Sequence, residues 1–600
     1  MKQKIVFVLL QIILAGLLLV GLLLIWASLQ SYPTLASLLN PLAADGKLEA
    51  FSPFLYKTLK LPFTLIGATL AALAGIMLVR WKKTKAWIQG SPTWAKQFLT
   101  VLGKDTQGFV QDAKNGITKQ RWPTIAALFG LMFVALVLRL KNLNIPLGHD
   151  EAYMYEAFAS RSIWHIVSDY HLPNNHVLLS ILMKLSTGLL GNHLWTLRLP
   201  TIVTGVLIVP TAYFFAKRFF RQETAILSSI LVAIFPTLIE FSVVARGYII
   251  IVWLTLLVFT LADYVRVQKN RFVWLLIVFL SALGFYTIPI MLFPFGAIYI
   301  WLIGSWVLGD TSLYEPKSSF LKYWLGSGIT TALLTIILYA PILIFSFDRF
   351  FGNGFIAPVG WDVFPVTLWT RLRNAWVEWT ASIPLWIVFL GILGFLVAFV
   401  FHKKFTGQKF PPQIAFLIWI LTLLLVRRPD MLPRFWLFLV GPLLVWMAAG
   451  VMEPLIRLPV TIGNGWNPAK ILVTAFLALL LIQSFWMIPS LPSQLQKKDD
   501  TEKATLYLKG TVHQGDLVTA STALLPPLRY YFNYYGIPKG SIRQSGDFKR
   551  AFVVVDSKHF ETLAANAPHL GFDIPAVDMD TAKIVYDQNG FMVYECVPIQ

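Results

Sequence analysis

Residues 146–156 read Pro-Leu-Gly-His149-Asp150-Glu151-Ala-Tyr153-Met-Tyr155-Glu156, three carboxylates and a histidine directly behind an apolar stretch. Such a cluster suits proton abstraction, and its spacing limits how. Neighbours on a helix point about 100° apart, and only residues three or four apart share a face, so Asp150 and Glu151 cannot address one group together. One of them can face a reacting group while the other orients or anchors it. The same residues also fit a helix start with no chemistry, Asp150 or His149 capping and Glu151 favoured by the dipole in the first turn. A second set of side chains bears on the choice. Arg246, Arg349, Arg371, Arg373, Arg427, Arg428 and Arg434 lie in short segments between apolar runs. Arginine suits planar, bidentate recognition of phosphate. Any one of them could snorkel to lipid head groups; the set asks for an anion, and Arg246 and Arg434 sit at the mouths of tight hairpins.

The elements that must position these residues are membrane spans. The chain is 600 residues long, 56% hydrophobic and only 13% charged, against about 25% charged in a soluble domain. Residues 5–26 form an apolar run interrupted only by Gln11, long enough to cross a bilayer and longer than a signal peptide's apolar region, so it reads as a retained helix. The pattern predicts a polytopic α-helical membrane protein of about thirteen transmembrane helices, near 5–26, 61–80, 123–140, 196–216, 224–243, 249–265, 272–288, 289–308, 323–345, 380–401, 412–426, 435–452 and 471–489. The apolar segment 176–190 is too short to span and is expected to be interfacial or re-entrant. Nine Lys/Arg fall within 80–122, and the basic groups Lys217/Arg218/Arg221, Arg266/Lys269/Arg271 and Lys403/Lys404/Lys409 recur at every second loop. By the positive-inside rule these face the cytoplasm, which puts the N-terminus inside and the acidic segment and C-terminal tail outside. The net charge of +20 is then topological, and no basic helix interleaved with aromatics argues for nucleic acid. A single cysteine, Cys596, leaves no intrachain disulfide or cysteine-based metal site.

Four regions are expected: a transmembrane hairpin at 1–80, a basic cytoplasmic linker at 81–122, a transmembrane core at 123–490 and a small extracytoplasmic α/β domain at 491–600. In the last, 551–555 and 591–594 read as buried strands, 557–567 as a helix and Asn589-Gly590 as a turn. The loop 346–379, with Gly352 and Gly354, is expected to lack a strong element and to close over a substrate.

Asp150-Glu151 behind the first core span, His171-Leu-Pro-Asn174-Asn175-His176, Gly191-Asn-His-Leu-Trp195-Thr-Leu-Arg198-Leu-Pro200 and Ala245-Arg246-Gly247-Tyr248 follow in an order and spacing that resembles the polyprenyl-phosphate-sugar-dependent GT-C glycosyltransferases, in the branch of the bacterial protein O-mannosyltransferases and aminoarabinose transferases. The resemblance covers about 123–490. It implies a multi-pass protein of the bacterial inner (plasma) membrane that moves a sugar from a polyprenyl-phosphate-linked donor to a glycan, lipid or protein acceptor on the extracytoplasmic face. The aspartate at the position of Asp150 is in that family the base or an acceptor-binding carboxylate, and cations of the outer loops hold the lipid phosphate. The sequence departs from the family where its usual His-Pro-Pro is Asn175-His176-Val177, and in the additional hairpin 1–80.

Displacing a polyprenyl phosphate from an anomeric carbon needs a base for the incoming hydroxyl and positive charge on the departing phosphate. Asp150 or Glu151 fits the first role, and Arg246, Arg434 or Lys184 the second. His149, Tyr153, His176 and Tyr248 are the candidates for holding acceptor or sugar. The sequence assigns no cofactor; a divalent metal on Asp150, His149 or His176 is chemically compatible, although the set has no tight ligand spacing. Two other functions compete: a transporter or flippase for a lipid-linked or anionic solute, which would need ionisable residues within spans and repeated broken helices, and a non-catalytic envelope scaffold.

Overall fold

The computed structural model describes residues 2–39, 51–311, 314, 316–351, 358–457, 501–521, 523–542, 548–556, 582–588 and 591–597. The chain divides into two compact units, 1–115 with 341–353, and 116–340 with 354–600.

In the first unit the helices Lys2–Leu29 and Pro53–Val79 pack along each other. Their approach depends on two glycines: a Cβ on Gly21 would stand 2.7 Å from Ala71 N, and one on Gly67 would stand 2.7 Å from Gly21 O. Close backbone contact of this kind is how apolar helices associate where lipid removes the hydrophobic drive. The helix Trp81–Thr118 follows.

The second unit is a helical core with a sheet appended. Of the thirteen expected spans, twelve fall on helices and 471–489 lies outside the described residues. Among the described residues eight helices are long and apolar enough to cross a membrane singly, or up to ten if two bent pairs count as one span each. Arg271–Thr287 and Pro412–Arg427, of 17 and 16 residues, fall short of the 20 that a bilayer asks for, so a count of thirteen is not reached among the described residues. One bent pair is explained by Pro236, which has no N–H for the preceding helix to use and breaks Gln222–Ile234 from Pro236–Ser242 by 56°.

Tyr248–Val267 is the most enclosed candidate span, with 83% of its apolar window buried. It packs on Leu194–Phe219, Arg271–Thr287, Leu292–Val307 and Val440–Ile456. Towards one end of this bundle Phe215, Phe219, Phe259, Trp301 and Phe416 form an aromatic cluster with centroids 4.9–6.0 Å apart. Beyond it Asp263 pairs with Arg218 at 2.7 Å and Arg266 at 2.8 Å. Arg198 and Arg218 mark the two ends of one helix, about 30 Å apart at 1.5 Å per residue.

Among the described residues of 501–597 is a four-stranded sheet of β1 (Leu517–Ala520), β2 (Ala551–Asp556), β3 (Lys583–Gln588) and β4 (Phe591–Cys596) in the order β1-β2-β4-β3. β1 and β2 are parallel, and the other pairs are antiparallel. The helix Leu525–Tyr535 covers one face, placing Leu525, Leu528 and Phe532 against Val518, Phe552 and Val593. The expected strands at 551–555 and 591–594 are present; the expected helix 557–567 and turn Asn589-Gly590 lie outside the described residues. One expectation is corrected. Much of the loop 346–379 is the helix Phe364–Thr380, started by Pro365 and tied by Arg371, whose Nε and Nη2 donate to Asp430 at 2.7 and 2.8 Å. Gly352 and Gly354 lie outside the described residues.

Candidate active site

Asp150 and Glu151 belong to the short helix His149–Met154, whose N-cap is Gly148. Capping by Asp150 or His149 is therefore not what the structure shows: Glu151, three residues in, reaches back to Gly148 N at 3.3 Å. Its carboxylate is buried and multiply engaged. Arg198 donates through Nε to Oε1 at 3.1 Å and through Nη2 to Oε2 at 3.0 Å, and Ala245 N donates to Oε1 at 2.6 Å. The remaining Arg198 donors hold the carbonyls of Leu143 at 2.7 Å and Ile145 at 2.8 Å. A bidentate pair with every polar edge occupied is the arrangement in which buried charges are tolerated. It fixes the short helix against Leu194–Phe219 and the turn 243–247, and leaves Glu151 no face for a substrate.

Asp150, one position earlier, points elsewhere. Its side chain is 35% exposed, and Oδ2 lies 3.6 Å from Arg246 Nη2 and 3.6 Å from Arg434 Nη2. These distances exceed a hydrogen bond, so the two cations flank the carboxylate without neutralising it through contact. Burial works to raise the Asp150 carboxyl, but Arg246, Arg434, His149 and a hydrogen bond from Asn174 outweigh it and hold it below the ordinary 3.8.

Arg246 is buried and held from three sides: Nη1 donates to Asn174 Oδ1 at 2.5 Å and lies 3.5 Å from Asp150 O, and the guanidinium sits 5.7 Å from the Tyr248 ring centroid. Arg434, at the start of the turn Pro433–Leu439, is 40% exposed. The Nε groups of Arg246 and Arg434 are both buried donors without a hydrogen-bond partner among the described residues. Both guanidiniums therefore keep hydrogen-bonding capacity that the described residues do not use.

His176 lies behind this pair. Gly247 N donates to its Nδ1 at 2.9 Å, which leaves the neutral ring's proton on Nε2. Burial, with Arg246 and Arg434 nearby, holds the imidazole well below 6.5. Gly247 has no substitute here, since a Cβ would stand 2.6 Å from Thr287 Cγ2. Tyr248 packs edge-on to His176 with centroids 5.4 Å apart. His149 faces the C-terminal region, its Nδ1 2.8 Å from Ala523 O, and Tyr153 Oη lies 2.7 Å from His171 Nε2. Lys184 is set apart from the cluster, two turns into Val177–Leu190, and among the described residues its side chain makes no ion pair or hydrogen bond. Nor does a metal site form: with Nδ1 of His176 occupied and two cations on Asp150, no group of three metal-ligating residues assembles among the described residues.

The structure therefore brings Asp150, Arg246, Arg434, His176 and Tyr248 together and makes Glu151 an anchor. Sequence reasoning gave no role to Arg198, Asn174, His171 or Tyr531. An arginine four residues into an apolar helix is a visible signal for Arg198. For Tyr531, which accepts from Leu147 N at 3.0 Å across 384 residues, there was none.

Residues 175–313 match the family model described as dolichyl-phosphate-mannose-protein mannosyltransferase. Among solved structures the chain is similar to ArnT from Cupriavidus metallidurans bound to undecaprenyl phosphate, at 12% identity over 78% of this chain and 97% of that one, TM-score 0.47. It is similar also to the Archaeoglobus fulgidus oligosaccharyltransferase in the apo form, at 13% identity over 74% and 70%, TM-score 0.45. No curated protein gives a significant match. The matched segment contains His176, Arg198 and Arg246, which surround the helix of Asp150.

Proposed function

We propose that the protein transfers a sugar from a polyprenyl-phosphate-linked donor to an acceptor hydroxyl on the extracytoplasmic face, with Asp150 as base and Arg246 and Arg434 on the departing phosphate. The observation that carries this reading is the juxtaposition at Asp150 Oδ2: a partly exposed carboxylate with two guanidiniums at 3.6 Å, each with an unmet Nε. In the transfer the acceptor oxygen bonds to the anomeric carbon, its proton passes to Asp150, and the bond to the phosphate oxygen breaks with its electron pair leaving on polyprenyl phosphate. Charge grows on that phosphate as the bond breaks, which is where fixed cations act most strongly. The depressed Asp150 carboxyl is ionised at neutral pH but weakly basic. A phosphate bound on the same arginines offsets their charge, so donor binding raises the basicity of Asp150 when it is needed. The orientation rests on the basic linker and loops.

Asp150→Asn should lower transfer about 10²- to 10⁴-fold while donor binding persists, because Asn keeps the shape but takes no proton. Arg246→Ala and Arg434→Ala should weaken donor affinity and rate together. Sugar transfer from a radiolabelled donor, with donor binding measured separately, decides this; near wild-type transfer by Asp150→Asn would remove the base assignment.

A further inference from the structure

A cavity of about 500 Å³ opens one helical turn from Asp150, between the segment 153–171 and the C-terminal helix Leu525–Tyr535. Tyr153, Arg161 and His171 line one side, and Arg529 and Phe532 the other. Three residues of the first wall are linked in series. Tyr153 Oη donates to His171 Nε2 at 2.7 Å, and His171 Nδ1 donates to Asp169 Oδ2 at 2.7 Å, with Asp169 Oδ1 accepting from His171 N at 3.2 Å. Asp169 thus sets the tautomer of His171, and His171 Nε2 accepts the hydrogen bond from the phenol. The lone pairs of Tyr153 Oη are left to accept from a ligand hydroxyl. The lining carries two carboxylates, Glu156 and Asp169, and two arginines, Arg161 and Arg529. Asp169 is engaged by His171 and His165, and Glu156 has interactions of its own. Arg161 and Arg529 have neither an ion pair nor a side-chain hydrogen bond among the described residues. Between Tyr153 and Arg161 the chain makes a π turn, Tyr155–Ala159, a local distortion that recurs at functional sites.

We propose that this cavity is the acceptor pocket, taking a hydroxyl-bearing acceptor that also carries an anionic group, with the hydroxyl on Tyr153 Oη and the anion on Arg161 and Arg529. The inference rests on the reading of Asp150 as the base, since Asp150 and Tyr153 lie three residues apart on one helix and so share a face. The C-terminal region then has a direct function: through Arg529 and Phe532 it forms the wall that selects the acceptor.

The test uses the full chain in phosphatidylcholine nanodiscs, with hydrogen exchange followed over 153–171 and 525–535. Glycerol 1-phosphate should slow exchange in both segments, in the wild type and equally in Arg246→Ala, where the other anion contact is removed. Arg529→Ala should weaken that protection roughly 10- to 100-fold. Tyr153→Phe should weaken glycerol 1-phosphate by about 3- to 10-fold and leave propyl phosphate, which has no hydroxyl, unchanged. In a second arm phosphatidylglycerol replaces part of the phosphatidylcholine and offers the same two groups on a lipid. Protection in the first arm indicates a soluble acceptor and in the second alone a lipid-borne one; either supports the pocket. No protection in both arms, protection lost in Arg246→Ala, or protection that survives Arg529→Ala overturns it. Asp150→Asn, run alongside, should keep the protection and lose transfer; if it keeps both, the base reading fails and the pocket stands.

Discussion

At the residue scale the site works by assigning adjacent, chemically similar side chains to opposite environments. Asp150 and Glu151 differ by one methylene, yet one is sealed against Arg198 and the other is open between two cations. His176 adds a pH signature to this arrangement. Its folded-state value lies well below 6.5, so below that pH the unfolded chain binds a proton that the folded chain refuses, and stability is lost as pH falls. The loss grows as pH falls further below the unfolded value. Asp150 titrates lower and adds no slope in this window. His176→Asn keeps an acceptor for Gly247 N and removes the titration, so the fall in melting temperature between about pH 7.5 and 5.5 should be smaller in the variant. An identical fall in both proteins would show that His176 titrates normally.

At the element scale two devices hold the Asp150 helix, and they differ in how far the sequence disclosed them. The first is the Glu151–Arg198 pair, which staples the helix to Leu194–Phe219 and to Ala245. Breaking a buried pair from one side costs about 3–5 kcal/mol. Glu151→Gln and Arg198→Met should each destabilise substantially, and the double variant should lose less than the sum; additivity within about 0.5 kcal/mol in a melting or denaturant cycle would show no coupling. The second device is the helix Leu525–Tyr535 with Ala523 just ahead of it, which meet the segment on both sides of Asp150: Tyr531 Oη on Leu147 N, Ala523 O on His149, and Tyr530 edge-on to Tyr155 with centroids 5.5 Å apart. Tyr531→Phe keeps the ring and strands the Leu147 donor, so kcat should fall several-fold with donor KM unchanged; a rise in KM alone would place the hydroxyl's effect in binding. The acidic segment and the two arginines were legible because their residue types conflict with an apolar context. The partition of roles between Asp150 and Glu151 was not, because it depends on where Arg198 arrives from a helix 43 residues on, and neither helical period nor composition encodes that meeting. The helix Phe364–Thr380 is hidden for a related reason: Val366, Trp369, Trp376 and Val377 are exposed apolar residues while Phe364 and Ala375 are buried, so its apolar residues do not mark out the buried face.

At the scale of the whole molecule the arrangement requires that the sheet-bearing C-terminal region and the Asp150 helix share one side of the membrane, since they are in contact. Which side is set by charge. Nine Lys/Arg in 80–122 predict a cytoplasmic linker, and the helix Trp122–Lys141 is a candidate span between that linker and Asp150, so the two should be labelled from opposite sides. The chain provides its own control for this measurement: its one cysteine, Cys596, is buried. Gly108, on the helix Trp81–Thr118, and Gly510, on Thr501–Thr511, are exposed positions where an added Cβ meets no atom within 4 Å. Gly108→Cys and Gly510→Cys can therefore be introduced one at a time without disturbing packing. In intact cells a membrane-impermeant maleimide should modify Gly510→Cys and spare Gly108→Cys until the cells are lysed, because the reagent cannot cross the bilayer and the C-terminal region is in contact with the Asp150 segment, which the candidate span Trp122–Lys141 separates from the basic linker. Labelling of Gly108→Cys from outside would reverse the topology, and with it the face on which sugar transfer is proposed. Labelling of both before lysis would mean that Trp122–Lys141 does not cross, leaving the basic segment on the same side as the Asp150 helix it precedes.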